Sequence, residues 1–167
     1  EKDAKKLIEL LTAQLNIFYG ADPAQSTDYG RIGHYRHFDR LVQMLESSLA
    51  CTGQTGDHQT ASPRILSGGQ HNRMSLYFAP TLITGLAKNA PLATEEIFGP
   101  ILPIQTYRDE QHLRELLSAR PQPLTVYCLS QDRDFGRRME KTVRTSSFAL
   151  NQFIYHAASS HLPFGGL

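Results

Sequence analysis

The chain has 167 residues, 40% hydrophobic and 20% charged, with a net charge of +1: enough for one domain with its own core and too apolar for a disordered segment. The near-balanced charge gives no electrostatic case for nucleic acid or an anionic membrane. No apolar run approaches the roughly 18 residues needed to span a bilayer, and Glu1-Lys2-Asp3 opens without the apolar segment of a signal peptide.

Residues 4–18 repeat with a helical period, Ala4, Leu7, Ile8, Leu11 and Leu15 forming one stripe. Tyr19-Gly20 and Asp22-Pro23 stop that helix. A second helix is predicted from about Tyr35 to Leu49, with Phe38, Leu41, Val42 and Leu45 as its apolar face. Residues 50–75 are rich in Gly, Ser, Thr and Gln and read as a long exposed loop. A strand over 76–83 is interrupted by Pro80, which implies an edge or a bend. Strands follow over 101–107, 124–129 and 147–151, alternating with helices over 110–119, capped by Asp109, and 133–141. That alternation predicts an α/β fold with a parallel sheet and right-handed crossovers.

Most candidate chemistry falls away on inspection. Two cysteines are too few for a disulfide framework and no glycosylation sequon occurs, so a reducing compartment is expected. Cys51 lies in a predicted loop and Cys128 in a buried-strand pattern. Neither has a neighbouring His or a helix N-terminus to activate it as a nucleophile. No dinucleotide-binding glycine motif, phosphate loop or zinc motif is present. His34 and His37 have no third ligand and read as solvated helix histidines, so no metal is expected. Arg137, Arg138, Lys141 and Arg144 read as a solvated face or a domain contact.

One segment stands out: Glu95-Glu96-Ile97-Phe98-Gly99-Pro100, followed by the strand-like Ile101-Leu102-Pro103-Ile104. Pro100 biases Gly99 away from the helical region, and Gly99 admits a backbone conformation that other residues avoid. A stiff loop presenting one carboxylate and one ring is expected. A carboxylate can accept hydrogen bonds from both hydroxyls of a ribose, and a ring can bound a planar heterocycle.

This segment resembles the E-E-I-F-G-P signature of the aldehyde dehydrogenases. Further strings match that family in the same order, nearest its class 3 or fatty-aldehyde branch. They are Asp28-Tyr29-Gly30-Arg31-Ile32, Arg36-His37-Phe38-Asp39-Arg40-Leu41, Tyr77-Phe78-Ala79-Pro80-Thr81-Leu82, Pro123-Leu124 into Val126-Tyr127 and Ser130, and Leu162-Pro163-Phe164-Gly165-Gly166. The chain departs from the family pattern at Ala93-Thr94, Phe148-Ala149, Gln152 and Leu167.

The resemblance implies that residues 1–167 are the C-terminal part of an aldehyde dehydrogenase catalytic domain, Rossmann-like with flanking helices. The missing initiating Met and the finish on Gly165-Gly166-Leu167 read as a chain cut at both ends. In the family a cysteine thiolate attacks the aldehyde, hydride passes to NAD or NADP, and a Glu-activated water cleaves the thioester. The cysteine and that Glu precede the segment resembled here, so no catalytic residue is assigned and the chain alone is expected to be inactive. Glu96 is implied to hold the nicotinamide-side ribose, Phe98 to lie beside the nicotinamide, and Phe164 to be the ring of the substrate pocket. His156, which with His161 flanks a loop close to Phe164, is a further candidate to line that pocket. The implied setting is a cytoplasmic homodimer acting on an aldehyde, with membrane association only through a tail absent here. The alternatives are a non-catalytic remnant serving as a binding module and a related semialdehyde or acyl-phosphate reductase.

Overall fold

The computed structural model describes residues 2–55, 60–158 and 161. They form two compact units, residues 1–108 and 109–167.

In the first unit, α1 (Lys2–Tyr19) closes on Gly20, whose N–H donates to Asn16 O at 2.9 Å. Ala4, Ile8, Leu11 and Leu15 of the expected stripe are half-buried, while Leu7 is 50% exposed and falls outside it. Helix α2 (Tyr35–Ala50) is capped by His34, whose Nδ1 accepts from the His37 backbone N–H at 3.2 Å. It buries Phe38, Leu41, Met44, Leu45 and Ser48, positions three and four apart along one face. The four apolar ones form the core with Phe78, Ile83, Leu92 and Ile101.

Three strands run beneath that core in the order β1 (Arg64–Ser67), β4 (Thr81–Thr84), β5 (Ile101–Ile104). β1 is antiparallel to β4, and β4 is parallel to β5 with Thr81 opposite Ile101 and Thr84 opposite Ile104. β2 (His71–Asn72) and β3 (Tyr77–Phe78) form a separate antiparallel pair. Pro80 makes the expected bend, because β3 pairs with β2 and the chain changes sheets before β4 begins. Pro103 lies in β5, which among the described strands has a neighbour on one side only, where a missing N–H is tolerated.

One expectation needs correction. Residues 50–75 are not one exposed loop: Arg64–Ser67 is a strand, and Ile65 packs against the core. The Gly- and Ser-rich surroundings hid a short apolar nucleus that β4 templates. At its end Gly68 has φ +79, and a Cβ there would lie 2.0 Å from the Pro80 carbonyl oxygen, so only glycine fits. The expected α/β class with parallel strands holds: β4 with β5 and, in the second unit, β6 with β7 are parallel pairs, while β1, which was not expected, is antiparallel to β4.

The second unit is a β-α-β arrangement with a preceding helix. It comprises α4 (Glu110–Ser118), β6 (Thr125–Cys128), α5 (Arg133–Thr142) and β7 (Ser147–Leu150), followed by the short α6 (Tyr155–Ala158). Asp109 caps α4 as expected, accepting from the His112 N–H at 2.8 Å. β6 and β7 are parallel, with Thr125 opposite Ser147 and Cys128 opposite Leu150, and α5 supplies the crossover. Helix α5 rests close on β7: a Cβ at Gly136 would sit 2.5 Å from Leu150 Cδ1.

Candidate functional site

The segment Glu95–Pro100 is a loop between the one-turn helix α3 (Pro91–Thr94) and β5, with both ends fixed. At its start, the Leu92 N–H donates to the buried Ser48 Oγ of α2 at 3.0 Å. At its end, the Thr81 N–H donates to Pro100 O at 2.8 Å, joining the loop to the β4–β5 ladder.

Between these anchors the loop turns its backbone towards α2 and alternates its side chains. Ile97 packs against the core, whereas Glu96 is exposed and Phe98 is 76% exposed. Among the described residues no donor is bonded to the Glu96 carboxylate. The backbone carbonyls are taken by α2. Arg40 Nη1 donates to Glu96 O at 3.1 Å, Arg40 Nη2 donates to Ile97 O, and His37 Nε2 donates to Phe98 O at 2.6 Å.

The strained residue is not the one expected. Gly99 has no left-handed φ; Phe98 does, at φ +49. A non-glycine residue in that region costs about 1–3 kcal/mol and persists where its surroundings determine it, as the held carbonyls do here. Gly99 is required for space instead, since a Cβ there would lie 2.6 Å from both δ-methyls of Leu41.

Sequence reading placed Glu96 and Phe98 on one stiff loop, and the structure brings them together, both outward on either side of the Ile97 anchor. Phe164 lies outside the described residues, and of His156 the structure describes only its place in α6. His37 and Arg40 were missed as loop contacts. His34 and His37 are a cap and a loop ligand rather than merely solvated histidines. Their signal was present in the string Arg36-His37-Phe38-Asp39-Arg40-Leu41, where spacing of three puts His37 and Arg40 on one helix face.

The cysteines carry no chemistry that the geometry supports. Cys128 is buried in β6, and that burial raises its thiol pKa, which disfavours the thiolate. Cys51 ends α2 and donates to Asn89 Oδ1 at 3.5 Å. Among the described residues there is no cluster of three or more His, Cys, Asp or Glu placed to hold a metal ion, and no helix long and apolar enough to cross a membrane.

The loop thus leaves one carboxylate, Glu96, and one ring, Phe98, exposed while its backbone carbonyls are held from α2. Comparison with known proteins agrees in family. The sequence model of the aldehyde dehydrogenase family matches residues 1–167. Aldehyde dehydrogenase family 3 member H1 of Arabidopsis thaliana is 34% identical over 164 residues, which cover 98% of this chain and 32% of that protein. The dimeric NADP-preferring aldehyde dehydrogenase of Bos taurus is 32% identical over 162 residues, 97% of this chain and 62% of that one. Among solved structures, the substrate-bound state of Staphylococcus aureus AldH superimposes with a TM-score of 0.86 at 34% identity, over 100% of this chain and 34% of that chain. The chain belongs to the aldehyde dehydrogenase family. It spans about a third of the length of the Arabidopsis relative.

Proposed function

We propose that residues 1–167 are the C-terminal part of the catalytic domain of an NAD(P)-dependent aldehyde dehydrogenase that oxidises aldehydes to carboxylic acids. The loop 95–100 is its hold on the cofactor. The observation that carries this reading is the division of labour in that loop: its backbone is occupied by α2, while Glu96 and Phe98 stand free and outward.

The residues present fit a nicotinamide dinucleotide. The Glu96 carboxylate offers two acceptor oxygens for a pair of ribose hydroxyls, and charge-assisted bonds of that kind are among the stronger ones. The Phe98 ring, held by its backbone and not by packing, supplies an apolar wall for the nicotinamide. When bound, the cofactor supplies the hydride acceptor. This chain's own contribution is to fix where the ribose, and with it the ring, can lie. Phe164 and His156 are proposed to line the aldehyde pocket. A cytoplasmic homodimer is the proposed setting, and the name of the bovine relative, dimeric and NADP-preferring, supports dimerisation and a phosphorylated cofactor as one option.

The test is aldehyde-dependent formation of NADH or NADPH by the full-length protein, with octanal as the first substrate. Production of the carboxylic acid in step with the reduced cofactor is the expected result. Cofactor reduction without acid would favour the acyl-reductase chemistry. No binding of either dinucleotide would overturn the proposal.

A further inference from the structure

We propose that His37 and Arg40 are positioning residues: together they set the height and tilt of the Glu96–Phe98 loop, and so the placement of the cofactor on it. The inference rests on the reading of that loop as the cofactor site.

Two side chains one helical turn apart on α2 hold three consecutive backbone carbonyls, those of Glu96, Ile97 and Phe98. The bonds form an ordered chain. Arg40 Nε donates to His37 Nδ1 at 3.4 Å, and a guanidinium has only donors, so the imidazole hydrogen sits on Nε2. Nε2–H is then the group that donates to Phe98 O at 2.6 Å. Arg40 thus does two things: it binds two carbonyls and it fixes the tautomer that lets His37 bind the third.

The frame behind this clasp is rigid. The His37 backbone N–H is itself engaged by the His34 cap, and Leu41, the next residue after Arg40, is fully buried against Gly99. The loop carries left-handed strain at Phe98, the residue whose carbonyl His37 holds. Without that bond the cheapest relaxation is for Phe98 to return to negative φ. That would re-aim its ring and the neighbouring carboxylate together. His37 and Arg40 bond the loop's backbone carbonyls and not the Glu96 or Phe98 side chains, so their effect on the cofactor runs through the loop.

The experiment uses the full-length protein with His37→Leu, His37→Gln, Arg40→Met and, as a reference, Glu96→Gln. Gln places an amide N–H near the reach of Nε2, whereas Leu fills similar space without a donor. Three readouts are taken: NADH and NADPH affinity by fluorescence titration, single-turnover reduced-cofactor formation with octanal, and hydrogen exchange of the 96–99 amides without cofactor. His37→Leu and Arg40→Met are expected to slow the single turnover about tenfold or more and to speed loop exchange, with the octanal KM unchanged. His37→Gln is expected to recover most of both losses. The inference is overturned if His37→Leu matches wild type while Glu96→Gln is impaired. It is also overturned if His37→Gln, melting like wild type, is as impaired as His37→Leu. Wild-type behaviour of Glu96→Gln in both cofactor readouts would remove the cofactor from this loop, and both readings would fall.

Discussion

Gly99 and Leu41 are in contact so close that a single methyl group cannot be inserted: a Cβ on Gly99 would lie 2.6 Å from each δ-carbon of Leu41. Leu41 is fully buried at the centre of the core, so it has nowhere to retreat. The loop and the core helix therefore share one packing problem.

Gly99→Ala is expected to destabilise the protein by about 1–3 kcal/mol, the usual cost of overpacking. Leu41→Ala alone opens a cavity and costs about 2–5 kcal/mol. Because the two residues touch, the double variant should lose less than the sum of the single losses. Urea unfolding of the four proteins measures the coupling. Strict additivity would show that the loop yields to the extra methyl without help from Leu41.

Glu96→Gln keeps shape and removes charge. If both ribose hydroxyls donate to Glu96, the loss should be on the order of 1.5–3 kcal/mol, roughly ten- to a hundredfold in hydride transfer or cofactor affinity. Stability should hardly change, since Glu96 is exposed and bonded to no donor among the described residues. Stopped-flow single turnover and fluorescence titration read the two effects. Unchanged values in both would take Glu96 out of the site.

The outward pair Glu96 and Phe98 was legible because their residue types and spacing are local. So were the helices, whose apolar faces repeat with the right period, and the bend at Pro80, where a missing donor forces a break. The clasp was not legible as a contact: Arg40 and Ile97 lie 57 residues apart and meet only because the fold sets α2 against the loop, a fact no local pattern contains. β1 was lost for a related reason. Four residues are too few to show alternation, and Ile65 becomes half-buried only when β4 lies beside it. Gly99 was given the wrong reason. Its neighbours suggested backbone freedom, whereas the demand comes from a side chain far away in sequence.

Glu110 gives the second unit a pH dependence. Its carboxylate accepts from Arg138 and Arg114, at 3.0 and 2.7 Å, and these hydrogen bonds, Arg138 first, lower its pKa from 4.5 to about 2. A depressed folded-state pKa contributes stability that is fully present above the unfolded value. It is lost as pH falls from about 4.5 towards 2. Glu110→Gln should therefore melt below wild type at neutral pH and converge with it near the acid end. The gap should narrow with added salt, because the pair is solvent-exposed. A constant gap across that pH range would mean that the loss in Glu110→Gln is steric.

Asn151 closes the β6–β7 pair and carries the sharpest stability prediction for that unit. Its side chain bonds Ser130 twice: Nδ2 donates to Ser130 O and Oδ1 accepts from the Ser130 N–H, both at 2.8 Å. Its own backbone N–H donates to Cys128 O at 2.8 Å, continuing the ladder past the last strand residue. It does this at φ +56, a conformation Asn tolerates better than most residues. Asn151→Ala should lose both side-chain bonds and pay for the left-handed backbone, about 2–4 kcal/mol together. Asn151→Gly loses the same bonds but not the backbone term, so it should be the more stable of the two by about 1 kcal/mol. That ordering is opposite to the one expected at an ordinary strand position, where Ala outlasts Gly. Paired thermal melts of the two variants decide it: Ala melting above Gly would show that the backbone at 151 relaxes out of the left-handed region once its side-chain bridge is gone.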